Sequence, residues 1–289
     1  MKRLFPALLI LASTLHGAHA QELPDIRDVA ADLTVPEMVE EAPAPGKRVR
    51  AVTAGWEDTA VHHALYLPPD WTPQARLPVL VELPGNGRYQ NAYGDTSDGM
   101  VSGCRLGYGI SGGRGMIWVC APLVEVTPEG GKQNAVKWWG SREESKRYLA
   151  ATVREVCAKH GGDAERVVLC GFSRGSIGCH FIGLDDDEIA GLWRALICHS
   201  HYDGVNVKWP YRGADRVSAL TRLKRLGDRP EWISHEGSTR EIETYLSGTG
   251  VTGLRTFVPL PYRNHTSDWV LRPIPERSRL RDWLAGVLK

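Results

Sequence analysis

The sequence predicts an α/β fold, a mostly parallel, doubly wound sheet entered by antiparallel N-terminal strands. Three observations carry that prediction. Short apolar runs recur at strand length, bounded by turn residues. Most are apolar throughout rather than alternating, the pattern of parallel strands covered on both faces. Helical stretches separate several of them, so strand and helix alternate along the chain.

The first elements lie before that pattern. Lys2 and Arg3, an apolar run from Leu4 to Leu15 and the small-x-small stretch Ala18-His19-Ala20 read as a secretory signal peptide over residues 1–20. The apolar run is about a dozen residues, short of the roughly 20 that span a bilayer. Residues 21–46 hold Pro24, Pro36, Pro43 and Pro45 without sustained periodicity and read as a loosely ordered leader. The folded domain is expected over residues 47–289. Arg48 to Val52 and Val61 to Leu67 flank a turn at Gly55 and form the antiparallel entry pair.

The remaining strands are expected at Val79 to Leu83, Met116 to Cys120, Val167 to Cys170, Ala195 to Cys198, Trp232-Ile233 and Thr256 to Leu260. The clearest helix starts at Ser141, carries Glu144 three residues on as a capping box, and stops at Gly161-Gly162. Others are expected over Ser176 to Gly183, Thr239 to Ser247 and Ser278 to Leu288.

Composition narrows the partners. The 289 residues include 35 basic and 34 acidic side chains, a net charge of +1 with no long block of one sign. That balance argues against nucleic acid or an anionic membrane as a partner. The six cysteines (Cys104, Cys120, Cys157, Cys170, Cys179 and Cys198) permit up to three disulfides, and spacing does not choose among the pairings. No CxxC pair is present to suggest a zinc or thioredoxin-like site.

The chemistry concentrates at Gly171-Phe172-Ser173-Arg174-Gly175. G-x-S-x-G gains weight when a strand precedes it and a helix follows, and both are expected here. Such a turn lifts the serine hydroxyl into a pocket and aims a helix N-terminus at the reacting carbonyl. A serine hydroxyl needs a base, and His265 sits in the loop beyond the last strand, where this order of residues places it. The oxyanion donors are expected to be the Arg174 N–H and one from Gly85-Asn86-Gly87, with Asn86 favoured. From about residue 60 to its end, with the Ser173 turn, His265 and the Asn86 loop, the chain resembles the α/β-hydrolase superfamily. The resemblance implies that fold, a Ser-His-acid triad and acyl-transfer chemistry without a cofactor.

The acid departs from the usual pattern. The loop after the penultimate strand, Ser234 to Thr239, has no aspartate and offers Glu236; the loop one strand earlier offers Asp203. The reading favours Asp203 over Glu236. His199-x-His201-x-Asp203 also has metal-ligand spacing, but no HExxH or paired-cysteine motif supports a metal, and none is expected. Asp95 to Gly99 reads as a solvated turn. The loops beyond the strands are rich in Trp and Tyr, and ten Trp against four Phe suit sugars, phenolic acids or polyester chains. Arg174 is read as an aid to the oxyanion or a partner for a substrate carboxylate. The expected protein is a secreted or periplasmic carboxylic-ester hydrolase acting on small-molecule or polymer-linked esters, with a serine peptidase or amidase on the same fold as the alternative, followed by a non-catalytic carbohydrate-binding protein or a metal-dependent hydrolase.

Overall fold

A computed structural model describes residues 22–289. The signal-peptide reading therefore lies outside the described residues. Nine strands form one sheet: β1 (Met38–Val39), β2 (Arg48–Ala51), β3 (His63–Tyr66), β4 (Leu77–Leu83), β7 (Ile117–Cys120), β10 (Gly162–Phe172), β11 (Ala195–His199), β12 (Glu231–Glu236) and β13 (Arg255–Leu260). Two small hairpins, β5 (Tyr89–Gln90) with β6 (Thr96–Ser97) and β8 (Val124–Val126) with β9 (Lys132–Asn134), stand apart from it. The order is β1-β2-β3-β7-β4-β10-β11-β12-β13. β3 pairs antiparallel with both β2 and β7, and the other pairings are parallel, as the sequence predicts.

The helices are α1 (Leu106–Ser111), α2 (Arg142–His160), α3 (Arg174–Phe181), α4 (Asp187–Ala190), α5 (Arg216–Lys224), α6 (Arg240–Ser247) and α7 (Pro275–Val287). The Ser141 hydroxyl caps α2 by accepting from the Glu144 N–H, and Gly161 ends it at φ +71°. α7 starts three residues before its expected onset because Pro275 suits the first helical turn. None of these helices is long and apolar enough to cross a membrane.

Continuous apolar strands serve two cores. Val79, Val81 and Leu83 of β4 face Leu149, Val153 and Ile177 on one side. Leu80 of the same strand joins Leu106, Ile110 and Leu280 on the other. Alternate residues thus bury opposite faces, so no polar stripe interrupts the run.

The 21–46 leader is a correction. Its described residues are docked: Ile26 is buried in the second core, and β1 adds a strand to the sheet. Asp32 pairs with Arg277, and the Arg263 N–H donates to the Pro24 carbonyl. A segment with one well-placed isoleucine and several charges needs no periodicity of its own when its partners are elsewhere in the fold. The cysteines are also settled, as all six are free thiols and five are buried.

Candidate active site

The C-terminal ends of β10, β11, β12 and β13 meet at one edge, since Phe172 pairs with His199 and Glu236 with Leu260. Ser173 stands between β10 and α3 at φ +55°, ψ −115°, a conformation costly for a residue with a side chain. Its neighbours permit the turn. A Cβ on Gly171 would lie 2.2 Å from the Gly175 backbone, and one on Gly175 would lie 2.0 Å from the Leu83 carbonyl oxygen. Only glycine at both positions lets β4, β10 and α3 approach this closely.

The Ser173 hydroxyl lies 3.0 Å from His265 Nε2, and His265 Nδ1 lies 2.6 Å from Glu236 Oε1. The three side chains form one hydrogen-bonded chain from serine to carboxylate. Burial opposes ionisation of Glu236, but the His265 hydrogen bond and charge outweigh it and hold the carboxyl well below the usual carboxylate range. Its other oxygen accepts from Ser200 Oγ at 2.5 Å, and Ser200 is itself held at φ +80°.

Asp203 is not where the sequence reading put it. It is buried and gripped by Arg222, with Nε at 2.7 Å and Nη2 at 3.1 Å, and it makes no hydrogen bond to His265. The expected acid therefore gives way to Glu236. The miss has a physical cause: Arg222, on α5 and nineteen residues along the chain, consumes the Asp203 carboxylate, and its demand cannot be read from residues 199–204 alone. His199 donates from Nε2 to the Thr266 carbonyl and meets Ser234 Oγ at Nδ1. Burial pushes His199 down to about 4 against the pull of Glu236, and burial with the His265 charge pushes His201 down to about 3, so both are neutral. With Asp203 spent on Arg222 and His199 on the histidine loop, the three do not assemble as metal ligands.

Arg174 also departs from expectation. Its guanidinium is fully buried and points away from Ser173, donating to the carbonyls of Pro84, Gly99, Ala135, Val136 and Trp138. Burial alone lowers it to about 10, with no carboxylate partner among the described residues. It thus ties the Asn86 loop and the Trp138 segment to the residue after the serine. Its backbone N–H remains free, as expected at the first position of a helix. The Asn86 side chain accepts from the Trp138 N–H at 2.8 Å. Among the described residues the Asn86 N–H has no partner, whereas the Gly87 N–H is taken by the Val136 carbonyl.

Sequence reading missed Asp95. Rather than a solvated turn residue, it is 5% exposed and accepts from the His265 N–H at 2.9 Å and from Asn264 Nδ2 at 2.9 Å. Around the His265 ring pack Phe172 at 4.8 Å, Tyr89 at 4.9 Å and His201 at 5.0 Å. Among the described residues the non-glycine residues at positive φ are Arg88, Trp138, Ser173 and Ser200, and all four border this site.

Several solved structures share the fold that carries this arrangement. An esterase from Rhizomucor miehei matches 91% of this chain and 90% of its own at 16% identity, with a TM-score of 0.59. Thermogutta terrifontis esterase 2, in a form phosphorylated by paraoxon, matches 84% and 95% at 14% identity, with a TM-score of 0.55. The chain has the α/β-hydrolase fold. No protein-family model and no curated protein sequence matches it.

Proposed function

We propose that this protein is a serine hydrolase of carboxylic esters. The reading rests on one observation above the others, the unbroken hydrogen-bonded chain Ser173–His265–Glu236. Ser173 Oγ attacks the ester carbonyl carbon while its proton passes to His265 Nε2. Glu236 holds the imidazole with Nδ1–H toward itself and stabilises the imidazolium that forms. The free N–H groups of Arg174 and Asn86 receive the negative charge on the former carbonyl oxygen. His265 then returns the proton to the leaving alcohol, and a water activated by the same imidazole hydrolyses the acyl-enzyme.

The esterase names of similar structures support this choice, and one of them is phosphorylated by an organophosphate. A fluorophosphonate probe tests the reading directly: the protein labels, Ser173→Ala does not, and a chelator changes neither result. Chelator-sensitive turnover without labelling would refute it. Turnover of p-nitrophenyl acetate is expected to exceed that of the matching anilide. Export is part of the proposal, on the strength of the Lys2-Arg3 start and the Ala18-His19-Ala20 stretch. A protein whose N-terminus after export begins at Gln21 would bear it out; retention in the cytoplasm would not.

A further inference from the structure

A wall of aromatic rings leads away from Ser173. His201 lies 5.0 Å from the His265 ring, Trp209 stands edge-on to His201 at 4.9 Å, and Trp138 meets Trp209 at 5.4 Å. Trp138 is held at φ +51°, with its N–H given to Asn86 and its carbonyl taken by Arg174 at 2.8 Å. A bulky residue kept in the left-handed region is strained, and such strain marks functional sites when the surroundings enforce it. The part-buried Asn86 amide and the buried Arg174 guanidinium enforce it here.

Beyond the wall runs a trough. A cavity of about 540 Å³ includes Ile177, His201 and Trp209, and a second of about 760 Å³ includes Arg216, Arg240 and Tyr245. Both are bounded by Val205, His235, Ser238 and Glu241, so they join end to end. Each alone is large enough for a drug-sized ligand, and together they exceed what a short ester occupies. The smaller cavity is lined by His201, Tyr202, Trp209 and Tyr211, and the larger by charged and hydroxyl side chains around Tyr245. The side chains of Lys208, Arg216, Arg240 and Glu241 make no hydrogen bond or ion pair among the described residues, although Arg216 lies over the Tyr245 ring at 5.8 Å.

We infer that this trough seats a polyhydroxylated chain, so that the ester cleaved at Ser173 is carried on an oligosaccharide. The inference rests on the ester-hydrolase reading. Ring faces accept the C–H surfaces of sugar rings, and the free polar side chains exchange hydrogen bonds with water for hydrogen bonds with hydroxyls. An alkyl chain would displace the same waters without replacing their bonds, which loses affinity, and a polyester, which only accepts, would leave Glu241 without a donor.

Kinetics on p-nitrophenyl acetate and on O-acetylated xylo-, manno- and galacturono-oligosaccharides of one and four residues test it. At least one series is expected to gain tenfold or more in kcat/KM between one residue and four. Trp209→Ala and Arg240→Ala should lower the ratio of tetrasaccharide to p-nitrophenyl acetate kcat/KM at least tenfold and threefold respectively. The unesterified tetrasaccharide of that series should bind Ser173→Ala by calorimetry. Absence of length dependence in all three series, or a preference for long-chain acyl p-nitrophenyl esters, overturns the inference. Failure of the ester-hydrolase reading looks different, since p-nitrophenyl acetate itself would then go unhydrolysed or be hydrolysed equally by Ser173→Ala.

Discussion

Exchanging each candidate acid for its amide separates Glu236 from Asp203 by two independent readouts. Glu236→Gln keeps the shape of the side chain and removes its charge from beside His265 Nδ1, 2.6 Å away. With charge centres roughly 4 Å apart and an effective dielectric of about 20, the lost attraction to the imidazolium is about 4 kcal/mol. That alone is about a thousandfold in rate. The amide also favours the wrong imidazole tautomer, so a loss of about 10³–10⁴ in kcat is expected. Asp203→Asn should act on stability instead. It leaves the buried Arg222 guanidinium without its carboxylate, a change that costs about 3–5 kcal/mol. At roughly 2–4 °C per kcal/mol in a chain of this size, Tm falls by about 10 °C. The assay is steady-state p-nitrophenyl acetate hydrolysis, normalised to folded protein, beside thermal unfolding. Glu236→Gln turning over within tenfold of the parent, or folded Asp203→Asn losing orders of magnitude in kcat, would refute the assignment.

Arg174→Met strands five carbonyls and should lower Tm by about 10 °C, from a cost of roughly 3–5 kcal/mol; a change below about 2 °C would show that the clamp is dispensable. Asp95→Ala frees the His265 backbone and Asn264 and should cut kcat about 10–100-fold with KM moving less than threefold, because small misplacements of a catalytic group cost that much. An effect confined to KM would contradict its role in placing the histidine. Under α3, His180 Nε2 lies 2.8 Å from Glu231 Oε1, a contact of charge rather than an aligned hydrogen bond. Burial opposes the His180 charge, but Glu231 outweighs it and raises the imidazole from near 6.5 to about 10. Its stabilisation is complete below pH 6.5 and is lost as pH rises toward 10, so Tm between those values should fall more steeply in the parent than in a His180→Gln/Glu231→Gln double variant. Parallel slopes would exclude the pair as the cause.

Most of the sheet was legible in the sequence because parallel strands covered on both faces announce themselves. Val167 to Cys170 has no polar residue and Val79 to Leu83 only the buried Glu82, since each alternate residue has a core of its own. The long helix α2 was legible from its cap and stop, Ser141 and Gly161. Short elements were not. α1 has six residues, and its N-terminal amides are satisfied by Glu82, a buried carboxylate on β4 that accepts from Arg105, Leu106 and Gly107. That partner lies more than twenty residues away, beyond any local cap signal. The docked leader is similar: Ile26 gives its N–H to Asn264 Oδ1 across most of the chain.

At the site, position was readable and pairing was not. Ser173 and His265 were found because a strand-turn-helix and a final strand fix where they must stand. The choice between Glu236 and Asp203 depended on which carboxylate a cation had already claimed, and that cation, Arg222, comes from α5, nineteen residues past Asp203. The same reasoning reverses the reading of Arg174. Beside a nucleophile an arginine looks like a ligand for substrate charge, yet this guanidinium is fully buried and donates to five backbone carbonyls, so it is committed to the fold. Its effect on the reaction then runs through Trp138 and the Asn86 loop, whose strained and unpaired backbone groups it holds in place. In the proposed reaction the substrate meets the aromatic wall and the free N–H groups, and the charge beside the serine is spent on keeping them there.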